Sequence, residues 1–191
     1  MKFGPNFENN FSQGIDDKKP EYLYHGSQNR NITKFEPRAI TIRNESDGEV
    51  VFATPDAAYA SMFIVPVDDS WAQIAIFGET HCIVISDKER FMKYNDKGGA
   101  IYKLPADTFK TDQEISRSEK EWTSKDTVDP RHKTNVKNGL KTMIRHGVQV
   151  YFVDKQTLEN IKTSEDHGIK ILKSIQSENQ KLGRFIKEIE D

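Results

Sequence analysis

The stretch Glu21-Tyr22-Leu23-Tyr24-His25-Gly26-Ser27, read together with Val50-Val51-Phe52-Ala53-Thr54-Pro55-Asp56, decides the fold of this chain. Tyr22 and Tyr24 alternate with Leu23, which suits a short strand. Gly26-Ser27-Gln28-Asn29 then breaks it. Val50–Ala53 is a compact apolar strand that runs into a helix start. Thr54 is placed to act as N-cap and Pro55 to take the first helical position, so an Ala-rich helix is expected over 56–63, ending before Pro66.

Working outward, Phe35-Glu36-Pro37-Arg38 is extended, because a residue before proline is pushed out of the helical region. Strands are expected over 74–77 and 81–85 with Gly78 between them, and Gly98-Gly99 turns into a strand through Pro105. Residues 110–120 form a charged loop, and Glu121–Ser124 a short strand. Thr134 or Asn135 is placed to cap a helix running through Arg145, which Gly147 terminates. Val148–Val153 has the strongest strand character, and a helix follows around 156–162. Many short strands without regular helix alternation argue for an α+β fold with mainly antiparallel sheet.

The chain divides into an N-terminal arm (1–20), a domain (21–163) and a C-terminal helix (164–191). Along that helix Leu172, Ile175, Asn179, Leu182, Ile186 and Ile189 recur at spacings of three and four. The seam either packs on its own domain or pairs two copies in a homodimer.

The chain has 191 residues, and its 28 basic and 30 acidic residues give a formal net charge of -2. The near-balance excludes a chain-wide polybasic binder and leaves room for a local basic groove. Eleven Phe, six Tyr and two Trp are enough aromatics for a core. The single cysteine, Cys82, excludes an internal disulfide framework and a Cys-rich zinc module, and it reads as a buried strand residue. The five histidines are scattered, so no metal site is expected. P-loop, GxGxxG and GxSxG patterns are absent. No window approaches ~18 consecutive apolar residues, and the opening residues lack an apolar signal core. A soluble cytoplasmic chain without a membrane partner is expected.

Three places carry chemistry. At Tyr24-His25-Gly26-Ser27, an imidazole can bond a sugar hydroxyl, and the glycine leaves its backbone groups open to a ligand amide. Around Val51–Ser61, Phe52 and Tyr59 can wall a flat heterocycle. At Glu119-Lys120-Glu121, two carboxylates at i and i+2 share one strand face, and such a Glu can stabilise a cationic sugar-like transition state.

The order of these elements resembles the ADP-ribosyltransferase superfamily, most closely the branch holding poly-ADP-ribosyl transferases, rifampicin-modifying transferases and RNA 2′-phosphotransferases. The resemblance implies a split β-sheet core with flanking helices, and NAD as substrate, with no metal. It implies that His25, Gly26 and Ser27 bind NAD, with His25 on the adenosine ribose and the Gly26 backbone on the nicotinamide carboxamide. Val51 stands where the family has its stacking tyrosine, so Phe52 or Tyr59 takes that role. Glu121 matches the acidic residue that supports oxocarbenium formation, and Glu119 the second Glu of arginine-directed members. Arg30, Arg38 and Arg43 follow the His–Gly unit and are candidates for the phosphate contacts that a 2′-phosphotransferase reaction needs; Lys110, Arg117 and Lys120 are candidates for acceptor contacts. The function implied is cleavage of the nicotinamide–ribose bond and transfer of ADP-ribose to a protein, a nucleic acid, a small molecule or water. The alternatives are a catalytically inactive nucleotide- or protein-binding module of the same fold and an RNA 2′-phosphotransferase-like enzyme.

Overall fold

The computed structural model of the chain describes residues 19–39, 48–77, 80–111, 120–166 and 168–181. Within them the fold is mixed α/β, with five α-helices and three small sheets. Five of the strand ladders are antiparallel and one is parallel.

The first sheet joins β1 (Tyr22–Ser27), β6 (Gly99–Pro105) and β8 (His132–Val136). Leu23, Ala100, Tyr102 and Leu104 from β1 and β6 are fully buried against Phe35, Val51 and Phe109. The second sheet joins β2 (Arg38–Ala39), β3 (Glu49–Ala53) and β7 (Trp122–Ser124). A single bridge, Tyr24 to Thr54, ties β1 to the end of β3. The third sheet joins β4 (Ala72–Phe77), β5 (Thr80–Ile85) and β9 (Gln149–Phe152), with β5 and β9 parallel. Its central strand is buried along His81–Ile85, as a strand covered on both faces should be.

Between the sheets runs α1 (Ala57–Ser61), continued by a 3₁₀ turn over Met62–Ile64. The helix starts later than the sequence suggests. Asp56, not Thr54, is the N-cap, and its carboxylate accepts from the N–H groups of Ala58 and Tyr59. Pro55 therefore lies before the helix. The expected helix over 134–145 is also corrected. Its first residues are β8, and α3 (Gly139–Arg145) begins after the Asn138 cap. Helix α2 (Lys88–Asn95), capped by Asp87, carries no apolar repeat and lies outside the elements read from the sequence; Phe91 alone anchors it among its fully buried apolar side chains.

Helix α4 (Lys155–Thr163) and helix α5 (Ile169–Lys181) close the third sheet. Leu172 of α5 is buried with Leu158, Ile161 and Val84, so this part of the seam packs on its own chain. Leu182, Ile186 and Ile189 lie outside the described residues. Truncating a buried leucine costs about 2–5 kcal/mol. Leu172→Ala should therefore lower unfolding stability by an amount in that range, measured by urea denaturation, with a midpoint independent of protein concentration. A concentration-dependent midpoint would mean that the seam is a subunit contact.

Candidate functional site

One cavity of about 1070 Å³ opens where β1, β3, α1 and β4 meet. His25, Gly26, Ser27, Phe52, Tyr59 and Glu121 all line it, although nearly 100 positions separate the first from the last. Arg38 does not line it. It is exposed on β2, and its positive charge is felt at His25. Arg43 and Glu119 lie outside the described residues.

The geometry at β1 follows from strand parity. Ala106 N–H donates to Glu21 O, which sets the odd residues of β1 facing β6. Tyr24 instead exchanges both backbone bonds with Thr54, at 2.7 and 2.9 Å. Gly26 turns its N–H and C=O to the same side as Tyr24, toward the gap that opens between β1 and β3. In that gap His25 Nδ1 reaches Phe52 O at 2.7 Å. A carbonyl only accepts, so Nδ1 carries the proton. Burial pushes the imidazole pKa below its usual value; the Phe52 carbonyl opposes that shift, and Arg38 adds to it. At neutral pH His25 is thus a neutral ring whose Nε2 lone pair can accept from a hydroxyl.

Gly26 has a second reason to be glycine. A methyl group there would collide with the carbonyl of Ala60, so α1 lies directly against β1. That close approach brings Tyr59 over the strand. Tyr59 Oη donates to Glu121 Oε1 at 2.8 Å, and Glu121 is only 8% exposed. The Tyr59 ring meets Phe63 edge-on, centroids 5.2 Å apart. Phe63 is 41% exposed and lines the cavity. Val51 is buried in the core and, by strand alternation, Phe52 takes the cavity side. The aromatic walls are Phe52, Tyr59 and Phe63.

Asp56 joins three elements. Its Oδ1 caps α1, accepting from Ala58 and Tyr59 N–H at 2.9 and 3.3 Å. Its Oδ2 accepts from His81 Nε2 on β5 at 2.6 Å and from Lys120 Nζ at 3.1 Å. Burial pushes this carboxyl up, but the His81 and Lys120 hydrogen bonds and the Tyr59 N–H outweigh it and hold the pKa at about 2. Lys120 is thereby committed to Asp56 rather than free for an acceptor. Because Lys120 directly precedes Glu121, this ion pair sets where the carboxylate enters the cavity.

Sequence reasoning did not find Asp56, His81 or Phe63. Asp56 was within reach, since Asp is as good an N-cap as Thr, and Phe63 stands four residues after Tyr59. His81 carries no sequence signal. Cys82 is buried in β5, and burial raises its thiol pKa to about 11, so it is not a nucleophile. Among the described residues no group of His, Cys, Asp and Glu is arranged to hold a metal ion, and no helix is long and apolar enough to cross a membrane. No family model, curated protein or solved structure matches this chain.

The Asp56 cluster has a pH signature. Its stabilising contribution is complete above the ordinary carboxyl pKa near 4 and is lost as pH falls from there through about 2. Asp56→Asn should be less stable than wild type at pH 7, with the gap closing as the pH is lowered toward about 2. Denaturant titrations across that range check this; a gap that does not change with pH would remove the ion pair from the account.

Proposed function

We propose that this cavity binds NAD and that the chain is an ADP-ribosyltransferase-like enzyme that breaks the nicotinamide–ribose bond. The observation that carries the reading is the convergence of the His25–Gly26 unit, the Phe52, Tyr59 and Phe63 rings and the Tyr59–Glu121 pair on one cavity. Its volume is that of a pocket for a large ligand, at the upper end of roughly 300–1,000 Å³.

Each group has a task in that reaction. Neutral His25 accepts from a ribose hydroxyl through Nε2, with its orientation fixed by Phe52 O. The Gly26 N–H and C=O match the carbonyl and NH₂ of a carboxamide. The aromatic walls hold a flat pyridinium ring. As the glycosidic C–N bond breaks, its electron pair leaves with nicotinamide and positive charge develops on the ribose. The buried Glu121 carboxylate stabilises that charge, and Tyr59 holds the carboxylate in place. An acceptor nucleophile then bonds to C1′ and releases its proton to solvent.

The RNA 2′-phosphotransferase alternative fits the lining less well. Gripping a terminal phosphate needs several cations, whereas among the described lining residues Lys162 is the one cation beside Asp68, Asp69 and Glu121. Arg30 is turned away to donate to Lys97 O.

Calorimetric titration with NAD, paired with an assay of nicotinamide release, tests the reading. His25→Ala should weaken NAD binding at least ~10-fold, the scale of one lost buried hydrogen bond to a ligand. Glu121→Gln should bind NAD nearly as well as wild type yet release nicotinamide at least ~100-fold more slowly, since the carboxylate acts in the transition state. Full turnover in Glu121→Gln would overturn the assignment.

A further inference from the structure

We infer that the β4 side of the cavity is a docking edge for an extended, basic segment of a protein acceptor, which would pair with β4 as an added strand. This rests on the ADP-ribosyltransfer reading only for the fate of the docked segment; the docking itself follows from β4.

In the third sheet β4 is the outer strand, paired on one side only, with β5. Trp71 O accepts from Ser86 N–H, so residues of odd number along β4 direct their backbone groups to β5. Ala72, Ile74 and Ile76 direct theirs the other way. These three residues line the cavity. Ala72 N–H is taken by Asp68 O within its own turn. Among the described residues nothing pairs with the N–H and C=O of Ile74 and Ile76 on that side. A half-buried strand edge with open donors and acceptors on a cavity wall is a template for another strand.

Charge selects the occupant. The charged side chains on the described lining are Asp68, Asp69, Glu121 and Lys162. The ammonium of Lys162 is already engaged by Asp69 O and by Glu159 at 2.9 Å. Asp68 is in turn paired with Arg90 at 3.1 Å. With both partners counted, Asp68, Asp69, Glu121 and Glu159 stand against Lys162 and Arg90, and this acidic excess favours a basic segment. Val67, Ile74 and Ile76 add apolar wall for alternate side chains.

The probe is an acetylated, amidated heptapeptide alternating Arg and Val, added to the full chain without NAD. Hydrogen exchange of the Ile74 and Ile76 amides, read by NMR, should slow at least ~10-fold at saturation, because an open edge amide becomes a ladder bond. The same peptide N-methylated at alternate amides keeps its charge but loses its donors, and should not protect them. Ile74→Pro removes one edge donor at a position where an outer strand tolerates proline, and should weaken peptide binding at least ~10-fold. Unchanged exchange at Ile74 and Ile76, equal binding of the N-methylated peptide, or tighter binding of a short single-stranded RNA would each overturn the proposal. Because NAD is absent throughout, failure here is separate from failure of NAD binding.

Discussion

The carboxylate of Asp56 is the constraint on which the site depends. One oxygen satisfies backbone donors at the start of α1, and the other holds His81 of β5 and Lys120 at the entry to β7. A helix of five residues has little stability of its own, because nucleation is costly and few bonds repay it. It is held by the cap at one end and by contact with β1 along its length, where Gly26 allows the Ala60 carbonyl to lie against the strand. Remove either, and Tyr59 and Glu121 have no fixed relation to His25. The charge balance at Asp56 is partly shielded from water, which makes the arrangement specific as well as stabilising.

The second feature of the site is the gap between β1 and β3. After one bridge at Tyr24 and Thr54 the two strands do not continue a ladder. The His25 ring reaches across to Phe52 O instead, so a side chain stands where a backbone bond would be. That substitution leaves the backbone of Gly26 facing the cavity and orients the imidazole, which burial keeps neutral. Sheet separation, ring orientation and ligand-facing backbone are therefore one structural event. The polar groups it exposes are one imidazole acceptor and the backbone of Gly26.

Much of this was legible in the sequence where the local signal and the tertiary environment agree. β1 and β3 alternate or cluster apolar residues beside clear breakers, and α4 follows an Asp cap with Leu158 and Ile161 on one face. The elements misread are those whose signal is ambiguous locally. Thr54-Pro55-Asp56 contains two good caps in three residues, and the choice between them is made by His81 and Lys120, which are distant in sequence. His132–Val136 has no apolar alternation because four of its five residues are exposed; it is a strand because β6 pairs with it. Lys88–Asn95 is too polar to show a helical period and is fixed by Phe91 in the core. The candidate residues His25, Gly26, Phe52, Tyr59 and Glu121 came from local chemistry and a family likeness. Their convergence on one cavity came from the fold, and so did the placing of Val51 in the core.

Backbone and side-chain NMR of the labelled chain during NAD addition tests the central claim most directly, because it reports on each residue separately. The account predicts saturable shifts concentrated at Gly26, the His25 ring, Phe52, Tyr59 and the Glu121 carboxyl, with the residues packed around Leu172 unmoved. Shifts absent at Gly26 and Tyr59, or scattered over the surface without saturation, would contradict it.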